Sequence, residues 1–273
     1  MSIGPLLLST AVLALLFGVI AGMAAAGFLR RRGHADAGNA LFMALGGGLL
    51  LARLGYIVRW WPQYVQQPAS MLNIRDGGFS VLAGLLGLLL SGLLIGWRRA
   101  PLRRPLALGL LVGVSAWGFA TLTANQLIEA SHPALPNLVL HDLAGHDVAI
   151  RAWRGKPTVI NLWATWCPPC RREMPVLVAA QRRLPAIRFV FADQGESAAA
   201  VKHFLKIEGL APTHVLIDDG MQLSQHYAAR GYPTTLFLDA HGHLRDMHIG
   251  ELSRATLAER LQRIAPPADP GSG

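Results

Sequence analysis

The pattern of apolar and polar positions changes near residue 128. Before it, four long apolar runs, at about 5–28, 40–58, 79–97 and 106–128, are separated by short segments that carry most of the local charge. A helix rises about 1.5 Å per residue, so roughly 20 apolar residues cross the hydrocarbon layer of a bilayer. Each run therefore predicts one transmembrane helix. Beyond residue 128 the apolar runs shrink to strand length or become helical stripes. Residues 138–143 and 148–150 flank Ala144-Gly145-His146-Asp147 and predict a hairpin. Thr158–Trp163 and Ile187–Ala192 are short apolar runs that read as buried strands. A helix opens at residues 167–170 and runs to about Leu184; residues 197–208 repeat with helical spacing through Val201, Phe204, Leu205 and Glu208. A strand over His214–Asp218 and a short helix over Met221–Ala229 follow. Thr234–Asp239 and Leu244–Ile249 then form a hairpin, and Ser253–Ile264 a terminal amphipathic helix. Strand–helix alternation that ends in a hairpin and a helix predicts an α/β domain with a mixed central sheet flanked by helices. The expected fold is thus multi-domain: a four-helix α transmembrane domain over 1–128, a Pro-containing linker over 129–137, an α/β domain over 138–265, and a Pro- and Gly-rich disordered tail over 266–273.

Composition supports the division. Mean hydropathy of +0.35 with 15% charged residues is too apolar for one soluble globule. The net charge of +9 raises the question of nucleic acid. No recognition motif accompanies it, and the arginines cluster between the apolar runs, so no nucleic-acid partner is expected. Arg30, Arg31 and Arg32 follow the first run, and Arg98, Arg99, Arg103 and Arg104 follow the third. The loop after the second has Arg59 at its edge and Arg75 balanced by Asp76. The positive-inside rule places the first and third loops in the cytoplasm, and the N-terminus and everything after residue 128 outside. The first run does not read as a cleaved signal peptide, because its positive cluster follows the apolar stretch. Gly92 with Gly96, Gly87 with Ser91 and Gly109 with Gly113 are spaced for close helix packing, read here as packing within the four-helix unit. Arg53, inside the second run near its outer end, is expected to snorkel to the interface or to serve a function.

The candidate chemistry lies in residues 161–175, Asn-Leu-Trp-Ala-Thr-Trp-Cys-Pro-Pro-Cys-Arg-Arg-Glu-Met-Pro, which hold the only two cysteines. Two thiols three residues apart can close a small, reversible disulfide ring. Cys167 falls where strand gives way to helix, where free N–H groups and the helix dipole favour a thiolate. Such sites lower a cysteine pKa from about 8.5 to about 3.5–7.5. Cys170 follows one turn later and deeper, placed to attack a mixed disulfide on Cys167 and release the product. Pro168 and Pro169 suit a first helical turn and remove two N–H donors, which tunes redox poise. A zinc site is the alternative. It needs four ligands, there is no second cysteine pair, and of His226, His241, His243 and His248 two read as exposed turn residues. No metal is expected, and no cofactor beyond the Cys167–Cys170 disulfide.

Residues 136–265 resemble the TlpA/ResA-like, membrane-tethered branch of the thioredoxin superfamily. The resemblance rests on Trp163-Ala-Thr-Trp-Cys-Pro-Pro-Cys-Arg171, Glu173-Met174-Pro175, Gly195-Glu196-Ser197 and Gly231-Tyr232-Pro233-Thr234-Thr235. It implies a cis bond at Pro233 facing the disulfide, and substrate pairing with the backbone of Tyr232. It also implies a buried Glu173 that exchanges protons with Cys170; spacing alone leaves a solvated charge beside Arg171 and Arg172 as the alternative. Trp163 is expected in the core and Trp166 as a partly exposed wall beside Cys167, with a helix kink at Pro175. In the first half, Ala52-Arg53-Leu54-Gly55-Tyr56, Asp76-Gly77-Gly78-Phe79-Ser80 and Gly84-Leu85-Leu86-Gly87 resemble prolipoprotein diacylglyceryl transferases over about residues 40–90. That family's histidine after the Asp-Gly-Gly block corresponds here to Leu82, which cannot move a proton, and the family's later helices are absent. A truncated relative serving as an anchor, or as a lipid- or partner-binding unit, is expected.

Together these readings predict a multi-pass protein of the bacterial inner membrane with its redox domain in the periplasm. It would reduce protein disulfides, as in apocytochrome c maturation or copper-site assembly. Its own membrane half has no cysteine, so a separate membrane thiol protein would have to supply electrons. An oxidant or isomerase using the same sulfurs and a lipid-modifying transferase are the alternatives. A peroxidase is disfavoured because Thr165 precedes Cys167 by two residues rather than three.

Overall fold

The computed structural model describes residues 10–66, 68–131 and 134–264, which fold as two compact units. In the first, α1 (Thr10–Arg31), α2 (Gly38–Arg59), α4 (Val81–Arg98) and α5 (Arg103–Ser131) are long and apolar enough to cross a membrane. Phe17, Leu93, Trp97 and Phe119 point outward from them, an apolar surface suited to lipid and ill suited to water. The start of the first expected span (residues 5–9), linker residues 132 and 133, and the tail over 266–273 lie outside the described residues. Expected linker residues 129–131 continue α5, since Glu129 and Ala130 are good helix formers and the next restriction is Pro133.

Glycines set the helix contacts. A Cβ on Gly22 of α1 would lie 2.6 Å from the Gly109 carbonyl of α5, and one on Gly87 of α4 would lie 2.9 Å from the Gly47 carbonyl of α2. Gly87 and the Gly109–Gly113 pair thus meet partner glycines on α2 and α1, whereas Gly92 faces Leu110 and Gly96 the Arg103 side chain; all of these contacts lie between helices of this unit or on its connecting turn.

The segment between α2 and α4 is more ordered than a loop. It holds α3 (Trp61–Val65) and 3₁₀ turns over Pro68–Leu72 and Ile74–Asp76. Arg53 of α2 does not snorkel: it is buried, and its guanidinium donates to the carbonyls of Ser70 (3.2 Å), Met71 (3.0 Å) and Gly78 (2.8 Å). The Tyr64 and Phe79 rings flank it at 5.4 and 5.7 Å. A planar five-donor group suits several carbonyls converging on one point. Arg53→Leu removes the guanidinium donors shared by these carbonyls and should loosen the segment by roughly 2–3 kcal/mol. Limited proteolysis should then cut within residues 68–79, with disulfide exchange unchanged.

The second unit is built on one mixed seven-stranded sheet. Its elements are β1 (Val139–Asp142), β2 (Asp147–Ala149), β3 (Thr158–Trp163), α6 (Pro168–Arg183), β4 (Arg188–Gln194), α7 (Ala198–Ile207), β5 (Val215–Asp218), α8 (Gln222–His226), β6 (Thr234–Leu238), β7 (Leu244–Ile249) and α9 (Arg254–Ile264). The strand order is β2-β1-β5-β4-β3-β6-β7. β3, β4 and β5 run parallel, and the two hairpins close the edges antiparallel. Every residue of β3 is buried, which explains its near-continuous apolar run. One core, with Phe189, Phe191, Phe237, Met174 and Leu177, fills the face that α6 covers; the other holds Ile160, Leu162, Val190, Leu216 and Leu236.

The chain enters this unit at Ala134, which bridges His243, and Leu135 donates to the Gly242 carbonyl. Thr158 pairs with Leu238, so that β6–β7 turn sits at the start of β3. Cys167 lies beyond the other end of β3. Ala134 and the cysteines therefore occupy opposite ends of the sheet.

Candidate active site

Three elements converge at the C-terminal end of β3. The strand ends at Trp163, and Cys167 is the N-cap of α6, with extended backbone and Pro168 and Pro169 in the first turn. Cys167 and Cys170 are joined in a disulfide, S–S 2.14 Å, and both are buried. The Cys167 sulfur accepts the Cys170 N–H at 3.3 Å. The intervening prolines have no N–H to offer. α6 continues through Pro175 to Arg183.

Glu173 lies one turn behind Cys170, on the same helix face, and it is not a solvated charge. It is 1% exposed; its Oε1 accepts the Asn161 amide at 2.7 Å and its Oε2 the Leu252 N–H at 2.9 Å. Burial pushes its pKa up to about 8, against the pull of these two bonds. The carboxyl group therefore keeps its proton at neutral pH and can give or take one near Cys170. Asn161 also donates to Thr235 Oγ1 at 3.0 Å, while its own Oδ1 is buried without a partner among the described residues. A flipped amide would turn that oxygen toward a protonated Glu173, so Asn161 can serve either state of the acid.

The opposite wall comes from the loop before β6. The Tyr232–Pro233 bond is cis. The Tyr232 ring meets that of Trp166 edge to face, centroids 6.2 Å apart, and Trp166 is 66% exposed. Trp163 is fully buried against Phe204 of α7. The Tyr232 hydroxyl lies 3.2 Å from Ser224 Oγ, which donates to Gln194 at the end of β4. From the same region, Glu196 accepts both the N–H and the hydroxyl of Thr165, each at 2.6 Å. Side chains following β4 thus brace both walls.

All eight sequence-predicted residues, Cys167, Cys170, Glu173, Trp166, Pro168, Pro169, Tyr232 and Pro233, fall in this one region. Sequence reasoning missed Asn161, Thr235, Ser224 and the bracing role of Glu196. The signal for Asn161 was available: it is the only amide in an otherwise apolar buried strand, and a buried amide needs a purpose. Elsewhere His226 bonds the Ala134 carbonyl, His241 and His243 are exposed, and His248 is buried against Glu251. None of the four shares a cluster of possible metal ligands among the described residues.

Residues 132–247 match the AhpC/TSA family, and residues 1–120 match the prolipoprotein diacylglyceryl transferase family. The thiol-disulfide oxidoreductase ResA of Halalkalibacterium halodurans is 31% identical over 152 residues, 55% of this chain and 86% of that protein. The thioredoxin-like protein YneN of Bacillus subtilis is 28% identical over 157 residues, 56% of this chain and 91% of that protein. The solved structure of MTB dsbF in its mixed oxidized and reduced forms is 26% identical and covers 48% of this chain and 99% of its own, with a TM-score of 0.45.

Proposed function

This chain belongs to the ResA family of thiol–disulfide oxidoreductases, and on that premise we propose that it is a membrane-tethered reductase of protein disulfides on the outer side of a bacterial plasma membrane. The observation that carries the reading is the Cys167–Cys170 disulfide at the start of α6, with the proton-holding Glu173 one turn behind it. In turnover, the Cys167 thiolate attacks a substrate disulfide and forms a mixed disulfide. Cys170 then loses its proton, attacks Cys167 and releases the substrate's second thiol. Glu173 takes up or returns that proton. Trp166, Pro168, Pro169, Tyr232 and Pro233 form the surface on which an incoming chain docks.

What supports the reducing direction is how weakly the reduced form would be stabilised. Strong oxidants stabilise their thiolate. Here Pro168 and Pro169 remove two donors from the first turn, and Cys170 lies in a fully buried position that favours thiol over thiolate. A poorly stabilised thiolate makes a reductant. The expected reduction potential is about −250 mV or lower, on the scale where thioredoxin is about −270 mV and the strongest periplasmic oxidants about −120 mV. Equilibration of the full-length protein with glutathione buffers measures it; a value near the oxidants reverses the direction.

Tethering rests on the four apolar helices, and orientation on Arg30–Arg32 and Arg98–Arg104, which mark the loops after α1 and α4 as cytoplasmic. The redox unit then faces the periplasm. After mild reduction, a membrane-impermeant alkylating reagent should label Cys167 in intact spheroplasts; protection there would invert the topology. Electrons come from a membrane thiol protein, since this chain's own membrane half has no cysteine. That half acts as an anchor in the bilayer: exposed Leu82 stands where a transferase would need a proton carrier. A peroxidase reading is disfavoured because the Thr165 hydroxyl is already engaged with Glu196.

A further inference from the structure

A second buried carboxyl group lies in the redox unit, and the chemistry above does not use it. After Arg188, β4 is apolar through Ala192 and ends in Asp193 and Gln194. Asp193 is fully buried and pairs with Trp163 in the parallel register. Paired residues share a face of the sheet, so Asp193 and Trp163 lie on the face that carries Asn161 and α6. Asp193 Oδ1 accepts the Glu196 N–H at 3.0 Å. Its Oδ2 is buried and receives no donor among the described residues. The polar neighbour of the Asp193 carboxyl group is the carboxyl group of Glu196 itself. Two carboxyl groups in contact, with no cation between them, are held together by a proton they share. Glu196 in turn spans Thr165, with both oxygens engaged at 2.6 Å. Thr165 stands two residues before Cys167, whose N–H bonds the Ala164 carbonyl within the same short turn.

We propose that Asp193 and Glu196 form an acid–carboxylate pair that holds the Thr165–Cys167 turn in place for exchange, with Asp193 a positioning residue acting through Glu196. The proposal rests on the exchange chemistry at Cys167. Its physical content is a division of labour. Asp193 supplies the proton, so Glu196 keeps the negative charge with which it accepts two donors from Thr165. Charge-assisted bonds of this kind are the stronger ones, and here they fix the backbone entering the nucleophile. The charged groups acting on Asp193 are Glu196 and, from β5, Asp218; its register partner on β3, Trp163, carries no charge. Burial first, then these two carboxylates, push its pKa up to about 8. Above that pH three like charges crowd one end of β4 and β5. Glu196 is driven off Thr165, and the turn before Cys167 loosens. Exchange would therefore fall as pH rises through about 8, although thiolate chemistry alone speeds up with pH.

The test uses the full-length protein in detergent, reduced beforehand, and follows its reduction of a fluorogenic disulfide-linked peptide from about pH 6 to about pH 10. Asp193→Asn keeps a donor to Glu196 but cannot ionise; it should lose the alkaline fall while working at neutral pH. Glu196→Gln cannot accept both Thr165 donors. Glu196 is half-buried, so folding tolerates the change, and the second-order rate constant for peptide reduction should drop about tenfold at neutral pH with the alkaline fall absent. The fall carried by Asp193 should persist in Glu173→Gln, which separates the two acids. Superimposable pH profiles for wild type and Asp193→Asn would overturn the proposal, as would full activity in Glu196→Gln. Absence of peptide reduction by the wild type at every pH would instead defeat the exchange reading itself.

Discussion

Cys170→Ser stops turnover but not the first chemical step. Serine is close in size to cysteine, and position 170 is fully buried in a packed core, so the fold should hold. Cys167 keeps its place at the start of α6 and its backbone donor. Its thiolate attacks a disulfide as before and stops at the mixed disulfide, because the only group poised one turn away to break that bond is now a hydroxyl. Multiple turnover should fall at least about a thousand-fold, to the rate at which external thiol resolves the adduct. The adduct itself should accumulate to near stoichiometry. Mass spectrometry after incubation with a defined peptide disulfide reads this directly: one peptide mass on Cys170→Ser, none on Cys167→Ser, none on the double variant. An adduct on Cys170 in the Cys167→Ser protein would exchange the two roles. Failure of any variant to form an adduct would remove the mechanism.

The roles of the two sulfurs were legible because they need only spacing and a strand-to-helix boundary, and both are local. Most of the redox fold was legible for the same reason: β3 and β4 are short, largely apolar runs, and each hairpin is marked by a glycine turn, Gly145 and Gly242, at positive φ. What the sequence did not reveal is long-range. Asn161 and Glu173 are 12 residues apart, Thr165 and Glu196 are 31, and Glu173 reaches Leu252 across 79. No periodicity encodes such pairs; they arise when the sheet brings strand ends together. The outer helices show the same limit. Small-residue spacing flagged one side of each contact, while the partners Gly22 and Gly47 emerged only with the packing. Arg53 stayed undecided because a lone arginine in an apolar run has two outcomes, and only the fold of residues 70–78 decides between them.

Glu173→Gln is expected to change both stability and chemistry, in opposite senses. The folded-state pKa of Glu173 is raised from 4.5 to about 8, chiefly because burial strips water from the carboxylate. The folded protein therefore binds the proton more tightly than the unfolded chain does. Stability is greatest below the unfolded pKa and is lost as pH rises from about 4.5 through about 8, by at most about 5 kcal/mol from this one group. Glutamine cannot ionise, so the variant should be more stable than wild type at pH values above about 8 and less sensitive to pH in between. Some dependence should survive in it, because Asp193 is shifted in the same direction. Urea titrations at a series of pH values check this: a wild-type curve that does not decline over the window would show that the acid is not buried as a proton holder. Chemistry moves the other way. Glutamine keeps the contacts to Asn161 and Leu252 but cannot carry a proton for Cys170. Alkylation of Cys167 should stay within a few-fold, while the resolving step slows about a hundred-fold, the usual worth of a positioned acid–base group. That split, with the first attack kept and the release slowed, is what a purely structural glutamate would not produce. Equal slowing of both steps would assign Glu173 to packing alone.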